Sequence, residues 1–135
     1  MSVEDAFSVP YERTFDGAYG LRWLGGDGTL ARGRVDVAPA LLGAHGAVHS
    51  GIFAAIAESL ASIGTALEVV PQGFAAAGLS NSTHVLAEVR EGVLEATARR
   101  RARAAGEWLW DVEVRAGETL CAVTTVVIAV RPQRR

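Results

Sequence analysis

Apolar and polar positions alternate with one period in the second half of this chain and with another in its middle. Residues 19–24 and 28–37 read as two short strands. Gly25-Gly26-Asp27-Gly28 lies between them, and its glycines supply the positive φ angles of a tight hairpin turn. Residues 39–47 form a loop broken by Gly43 and Gly46. From Ser50 to Leu67 the sequence is rich in Ala, Ile and Leu without a proline, which predicts a helix stopped by Pro71 and Gly73. Between Gly51 and Leu67 its polar side chains are Glu58, Ser59, Ser62 and Thr65, so nearly every face is expected to be buried. Beyond it the period falls to two. Residues 73–87 form one predicted strand. In 94–104, Glu95, Thr97, Arg99, Arg101 and Arg103 oppose an apolar parity that only Arg100 interrupts. After a turn at Gly106, Trp108, Trp110, Val112 and Val114 alternate with polar neighbours. After Gly117, residues 119–130 are apolar or Thr almost throughout, as in a strand covered on both faces. The expected class is α+β, an antiparallel sheet wrapped around one central helix in a single domain, with residues 1–16 as an extension and 131–135 as a loose tail.

Composition narrows the function. The chain of 135 residues is 50% hydrophobic, enough for a real core, and its net charge of -2 argues against an electrostatic footprint for nucleic acid. One cysteine, Cys121, excludes an internal disulfide and a zinc site of several cysteines. The first residues lack the apolar region of a signal peptide, and no stretch reads as a membrane span, so a soluble cytoplasmic protein with no membrane partner is expected.

Glu58 is the residue out of place. Ionised carboxylates are costly to bury without a partner. Glu58 could instead lie on a solvent stripe with Ser62 and Thr65, but that helix stretch carries no Lys or Arg, and a carboxylate among small hydroxyls looks like the floor of a cleft. The loop Ala44-His45-Gly46-Ala47-Val48-His49 leads straight into the helix start, where unpaired N–H groups suit an oxyanion. Ser50 can also cap the helix there. Ser50 and Glu58 are eight residues apart, about 12 Å along one helix axis. Both would have to lie roughly 3 Å from the same reacting carbonyl. One helix cannot supply both, so if both roles are real, two chains share each site across a dimer interface.

The run His49-Ser50-Gly51-Ile52-Phe53-Ala54-Ala55-Ile56-Ala57-Glu58 resembles the signature of hot-dog-fold acyl-CoA thioesterases, in which a His-Gly-Gly loop enters the central helix and an acid follows nine residues after the His. Glu58 with Ser62 four residues on is similar to the 4-hydroxybenzoyl-CoA and enterobactin-pathway proofreading branch. Ala44-His45-Gly46 is similar to the phenylacetate-pathway thioesterases. The resemblance spans roughly residues 18–130. It implies a hot-dog fold, an acyl-CoA substrate, no cofactor, and a homo-oligomer that is at least a dimer and typically a tetramer. It implies Glu58 as nucleophile or general base, the Ser50 N–H as oxyanion donor, His49 near the leaving thiolate, and Ser62 orienting Glu58 or water. Gly51, Phe53, His45, His84 and Arg100 are the expected substrate-binding residues.

Three positions depart from the family pattern: Gly43 stands where Asn or Gln is usual, Ser50 where Gly is usual, and Glu107 where Arg is frequent. His45 could stand in for the missing amide. His45 and His49 at i, i+4 suggest a metal pair that Glu58 or His84 could complete, but they fall in a Gly-broken loop with no third ligand evident by spacing, so no metal is expected. The run Arg99-Arg100-Arg101-Ala102-Arg103 reads first as a solvated sheet face and second as a binder of coenzyme A phosphates. Asn81-Ser82-Thr83 matches a glycosylation sequon that has no meaning without a signal peptide. The alternatives to thioester hydrolysis are a non-catalytic acyl-CoA-binding hot-dog module, favoured by Gly43, and a hot-dog dehydratase or hydratase.

Overall fold

The structure is a computed structural model and describes residues 2–3 and 8–134. Two strands, a long helix and four further strands follow one another as the periodicity predicts. The chain departs from expectation at its start. Thr14 accepts a hydrogen bond from the Gly17 N–H (3.1 Å) and so caps a short helix, α1 (Phe15–Tyr19), which ends at Gly20. The first strand, β1 (Arg22–Gly26), therefore starts later than residue 19. It pairs with β2 (Leu30–Asp36). Asp27 holds the turn between them: its Oδ1 accepts from the Thr29 N–H (2.8 Å), the Thr29 hydroxyl (2.7 Å) and the Leu30 N–H (3.1 Å). Gly25 and Gly26 carry the positive φ, but they lie at the end of the strand.

Helix α2 (Ser50–Val69) runs into a 3-10 turn at Val70–Gln72, and Gly73 at φ 90° reverses the chain into β3 (Phe74–Val85). Strands β4 (Val93–Ala104), β5 (Glu107–Ala116) and β6 (Thr119–Pro132) complete an antiparallel sheet in the order β1-β2-β4-β5-β6-β3. Residues 131 and 132, expected in the tail, extend β6. One edge of the sheet is β1 and the other is the twelve-residue β3.

Helix α2 lies on one sheet face. Phe53, Ile56, Ala57, Leu60 and Ala61 meet the inward parity of the strands, Trp108, Trp110, Val112 and Val114 among them. Burying a Phe, Ile, Leu or Val side chain among these stabilises the fold by roughly 1.5–3 kcal/mol. The helix passes close to β5 at Gly64, where a Cβ would lie 2.9 Å from the Trp110 ring. Trp110 donates from Nε1 to the Thr65 hydroxyl (3.0 Å), which itself donates to the Ala61 carbonyl (2.8 Å). Thr65 is therefore fully buried and does not share an exposed stripe with Glu58.

Two further expectations are corrected. The helix is not buried on nearly every face: Gly51 and Glu58 are exposed, and Ala55, Ser59, Ser62, Ile63 and Ala66 are only half-buried. By length and composition Ser50–Gln72 could cross a membrane, at 23 residues and a mean hydropathy of 1.5, so the chain does contain such a stretch. Half of its apolar stretch is buried inside the protein, as befits a core helix. In β4 a bulge between Arg100 and Ala102 breaks the strict alternation. Arg100 and Arg103 consequently share the helix-facing side, pairing across the ladder with Trp110 and Trp108, while Arg101 turns outward to Asp111.

Candidate active site

The loop before α2 is fixed by backbone pairing. Gly43 N–H donates to the Ala47 carbonyl (2.7 Å), Val48 N–H to the Val89 carbonyl (2.7 Å) and His49 N–H to the Leu41 carbonyl (2.9 Å). Arg90 braces the loop from outside, donating from Nη1 to the His45 carbonyl at 2.9 Å. The helix cap is His49, not Ser50: its Nδ1 accepts from the Gly51 N–H at 2.9 Å. Two consequences follow. The Gly51 N–H is taken, whereas the Ser50 N–H makes no hydrogen bond among the described residues. With Nδ1 accepting, the neutral His49 ring carries its proton on Nε2.

Glu58 lies two turns further along. Its side chain is exposed and lies against the edge strand, where a Cβ added at Gly78 would be 2.9 Å from Oε1 and 3.0 Å from Cδ. A bulge between Gly78 and Ser80 follows at once and leaves Leu79 53% exposed on the same edge. The helix turn carrying Glu58 is pinned from below. Asn81 donates from Nδ2 to the Ala54 carbonyl (2.9 Å), and the α-helical pattern directs the Glu58 N–H to that same carbonyl. Asn81 Oδ1 accepts from the Thr83 hydroxyl (2.7 Å), which is 2.9 Å from the Thr124 hydroxyl. Sequence reasoning saw Asn81 only as a sequon and missed this role. A polar Asn on the inward parity of a strand was the available signal.

The remaining candidates divide. Ser62 is one turn after Glu58, half-buried, with its hydroxyl unpaired among the described residues. His45 and His49 are exposed at the helix entrance. Phe53 is 1% exposed and belongs to the core, so it lines no open surface. His84 has the opposite parity to Asn81 and Thr83 and faces away from α2, near Asp111 and Glu113. Arg100 is at the far end of the helix. It donates to Glu68 (3.2 Å), Arg103 meets the same carboxylate (3.4 Å), and both guanidiniums lie over Trp108 at 4.7 and 4.9 Å. Glu68 is ten residues past Glu58, about 15 Å along the axis, so within one protomer Arg100 is remote from Glu58 and already paired. Among the described residues no cluster of three His, Cys, Asp or Glu could hold a metal.

One antiparallel six-stranded sheet carrying one long helix is the hot-dog architecture. No protein-family model matches the chain. It is 35% identical over 104 residues to the "Putative esterase Rv1847" of Mycobacterium tuberculosis, covering 74% of this chain and 73% of that one. The solved structure of that mycobacterial protein superposes with a TM-score of 0.85 over 90% of this chain and 98% of its own, at 28% identity across the longer span. A mutant of thioesterase PA1618 of Pseudomonas aeruginosa shares the fold at a TM-score of 0.87 and 20% identity, over 97% of this chain and 92% of its own. The chain belongs to the family of that mycobacterial "Putative esterase", hydrolases of the hot-dog fold.

Proposed function

We propose that the protein hydrolyses an acyl-CoA or acyl-carrier thioester to a free acid and a thiol. Glu58 is the nucleophile or general base, and the Ser50 N–H of a second copy is the oxyanion donor. One observation carries this reading: among the described residues the Glu58 carboxylate has no partner and lies beside the open edge strand β3, while the likewise uncommitted Ser50 N–H starts the same helix about 12 Å away. A second protomer paired along β3 would bring one helix start toward the other's carboxylate. Leu79, Val85 and Leu86, exposed at 53%, 44% and 58%, give that edge the apolar surface such pairing needs. The protomer alone leaves Glu58 in solvent, so the reading requires at least a dimer.

In the general-base course Glu58 removes a proton from water and the water oxygen bonds to the carbonyl carbon. The Ser50 N–H holds the developing oxyanion, and the C–S bond then breaks. His49, with its proton on Nε2, is suited to donate a hydrogen bond to the departing thiolate, which takes up the proton that Glu58 removed from water, and Ser62 to orient the water or Glu58. Thioesters are reactive enough for this without a Ser-His-Asp triad. No cofactor enters the scheme, and a cytoplasmic setting fits a coenzyme A substrate.

A thiol-detecting assay over a panel of acyl-CoAs tests the reaction. Turnover should be lost in Glu58→Gln while fold and ligand binding persist; equal turnover in that variant removes the mechanism. A monomeric mass at working concentration removes the shared site. Gly43 favours a second reading, binding without catalysis, because it has no amide side chain to hold a carbonyl or water. Binding with no hydrolysis of any acyl-CoA would select it.

A further inference from the structure

A cavity of about 620 Å³ opens between the N-terminal segment, the start of β1 and the outer flank of α2. Val9, Pro10, Leu21, Trp23 and Ile63 give it apolar walls, and Asp16 is set among them. Size and lining are those of small-molecule sites, which are mainly apolar with a few placed polar groups. The Oδ1 of Asp16 is committed: it accepts from the Tyr19 hydroxyl (2.9 Å) and the Ser59 hydroxyl (2.6 Å). Its Oδ2 accepts nothing among the described residues. The other polar groups at the cavity are spent or of the same sign. The Tyr11 hydroxyl donates to the Leu21 carbonyl, Arg22 pairs with Asp36 at 3.1 Å, and Glu12 adds a second carboxylate.

The cavity adjoins the reacting region. Ser59, which holds Asp16, directly follows Glu58, and Ile63 is five residues on, about 7.5 Å along the axis. The helix surface between Glu58 and the cavity carries only Ala55, Ser59, Ser62 and Ala66, none fully buried and none large enough to block a chain. Around that helix the path is on the order of 10 Å.

We infer that this cavity receives the acyl end of the thioester, and that Asp16 selects acyl groups whose far end carries a hydrogen-bond donor, a hydroxyl or an ammonium, over those ending in a carboxylate. This rests on the hydrolase reading above. A donor pairs with Oδ2, a plain alkyl end leaves that oxygen stripped of water, and a carboxylate end faces like charge. Sites built to pair a substrate hydroxyl reject analogues that lack it.

An eight-carbon chain spans on the order of 10 Å, so the probes are 8-hydroxyoctanoyl-, octanoyl- and 7-carboxyheptanoyl-CoA. Wild-type kcat/KM should favour the hydroxyl over the alkyl end by about 10-fold or more, with the carboxylate lowest. Asp16→Asn keeps an oxygen for Tyr19 and Ser59 and offers an amide N–H in place of Oδ2, so the carboxylate end should overtake the alkyl end. An unchanged ranking in Asp16→Asn, or no hydroxyl preference in the wild type, overturns the inference and leaves hydrolysis standing. Titration calorimetry in the Glu58→Gln background, with and without Asp16→Asn, reads the same ranking without turnover. Equal Kd values for the three probes, or no binding, overturn the inference. The predicted Kd ranking beside a wild type that cleaves none of them supports it and removes the hydrolase reading instead.

Discussion

The carboxylate of Glu58 rests on the bare backbone of Gly78, with room for hydrogen and nothing larger: a Cβ would approach Oε1 to 2.9 Å. Gly78→Ala should therefore turn the acid away from its position. Because Gly78 is exposed on an edge strand, the fold should hardly notice. Turnover is expected to fall about 10-fold or more, equivalent to about 1.4 kcal/mol of lost transition-state stabilisation, with a thermal midpoint within a few degrees of wild type. Full activity in Gly78→Ala would show that the observed pose of Glu58 is not the working one.

His49 joins two roles that substitution can separate. As helix cap it accepts from the Gly51 N–H through Nδ1. His49→Ala should cost about 0.5–2 kcal/mol of stability as well as activity, whereas Asn is a good cap without an imidazole. His49→Asn is expected to melt close to wild type in calorimetry and yet hydrolyse more slowly.

Gly43 has space beside it. A Cβ there meets nothing nearer than the Ala47 carbonyl oxygen and His49 Cδ2, both at 3.7 Å, and its backbone is free of positive φ. Gly43→Gln should be accommodated and should raise kcat/KM by restoring an amide near the helix entrance. A fall in kcat/KM would assign that place to another group, His45 foremost.

The chain itself announced much of this. Composition marked α2, and the period-two alternation of Trp108, Trp110, Val112 and Val114 marked the inward face of β5. It could not announce the bulges, because a single extra residue changes no local preference. The bulge at Arg101 therefore moved Arg103 to the helix side and gave Arg100 a partner in Glu68 that spacing does not reveal. The acid's apolar setting and the loop before it put forward Glu58 and Ser50, the resemblance added His49 and Ser62, and the roles of all four are proposals. The cap at Thr14, the pin from Asn81 and the seat at Gly78 were not legible, since each depends on a contact between segments that the fold alone brings together.

Thr65 is the buried polar residue on which Trp110 depends. Thr65→Val preserves shape but leaves the Trp110 N–H without its acceptor, and an unpaired buried donor costs about 1–3 kcal/mol. The denaturant midpoint should drop accordingly while activity at low temperature is kept.

Asp27 gives the fold a pH signature. The Thr29 hydroxyl and the backbone N–H groups of Thr29 and Leu30 hold its carboxyl below the usual carboxylate range. Since the folded value is the lower one, the contribution to stability is present above the unfolded value near 3.8 and is lost as pH falls through the folded value. A carboxyl-carbon NMR titration should place Asp27 below 3.8, and Thr29→Ala should move it upward.

Strand β3 pairs with β6 along one side and offers its other side to whatever extended backbone comes near. A lone protomer is in that sense adhesive, and dilution should act on it as a mild denaturant does. If a second copy is the intended cover, the melting temperature will climb with protein concentration, since mass action rewards the associated state. Leu79→Lys would then blunt that climb and make the edge inhospitable to strangers and kin alike.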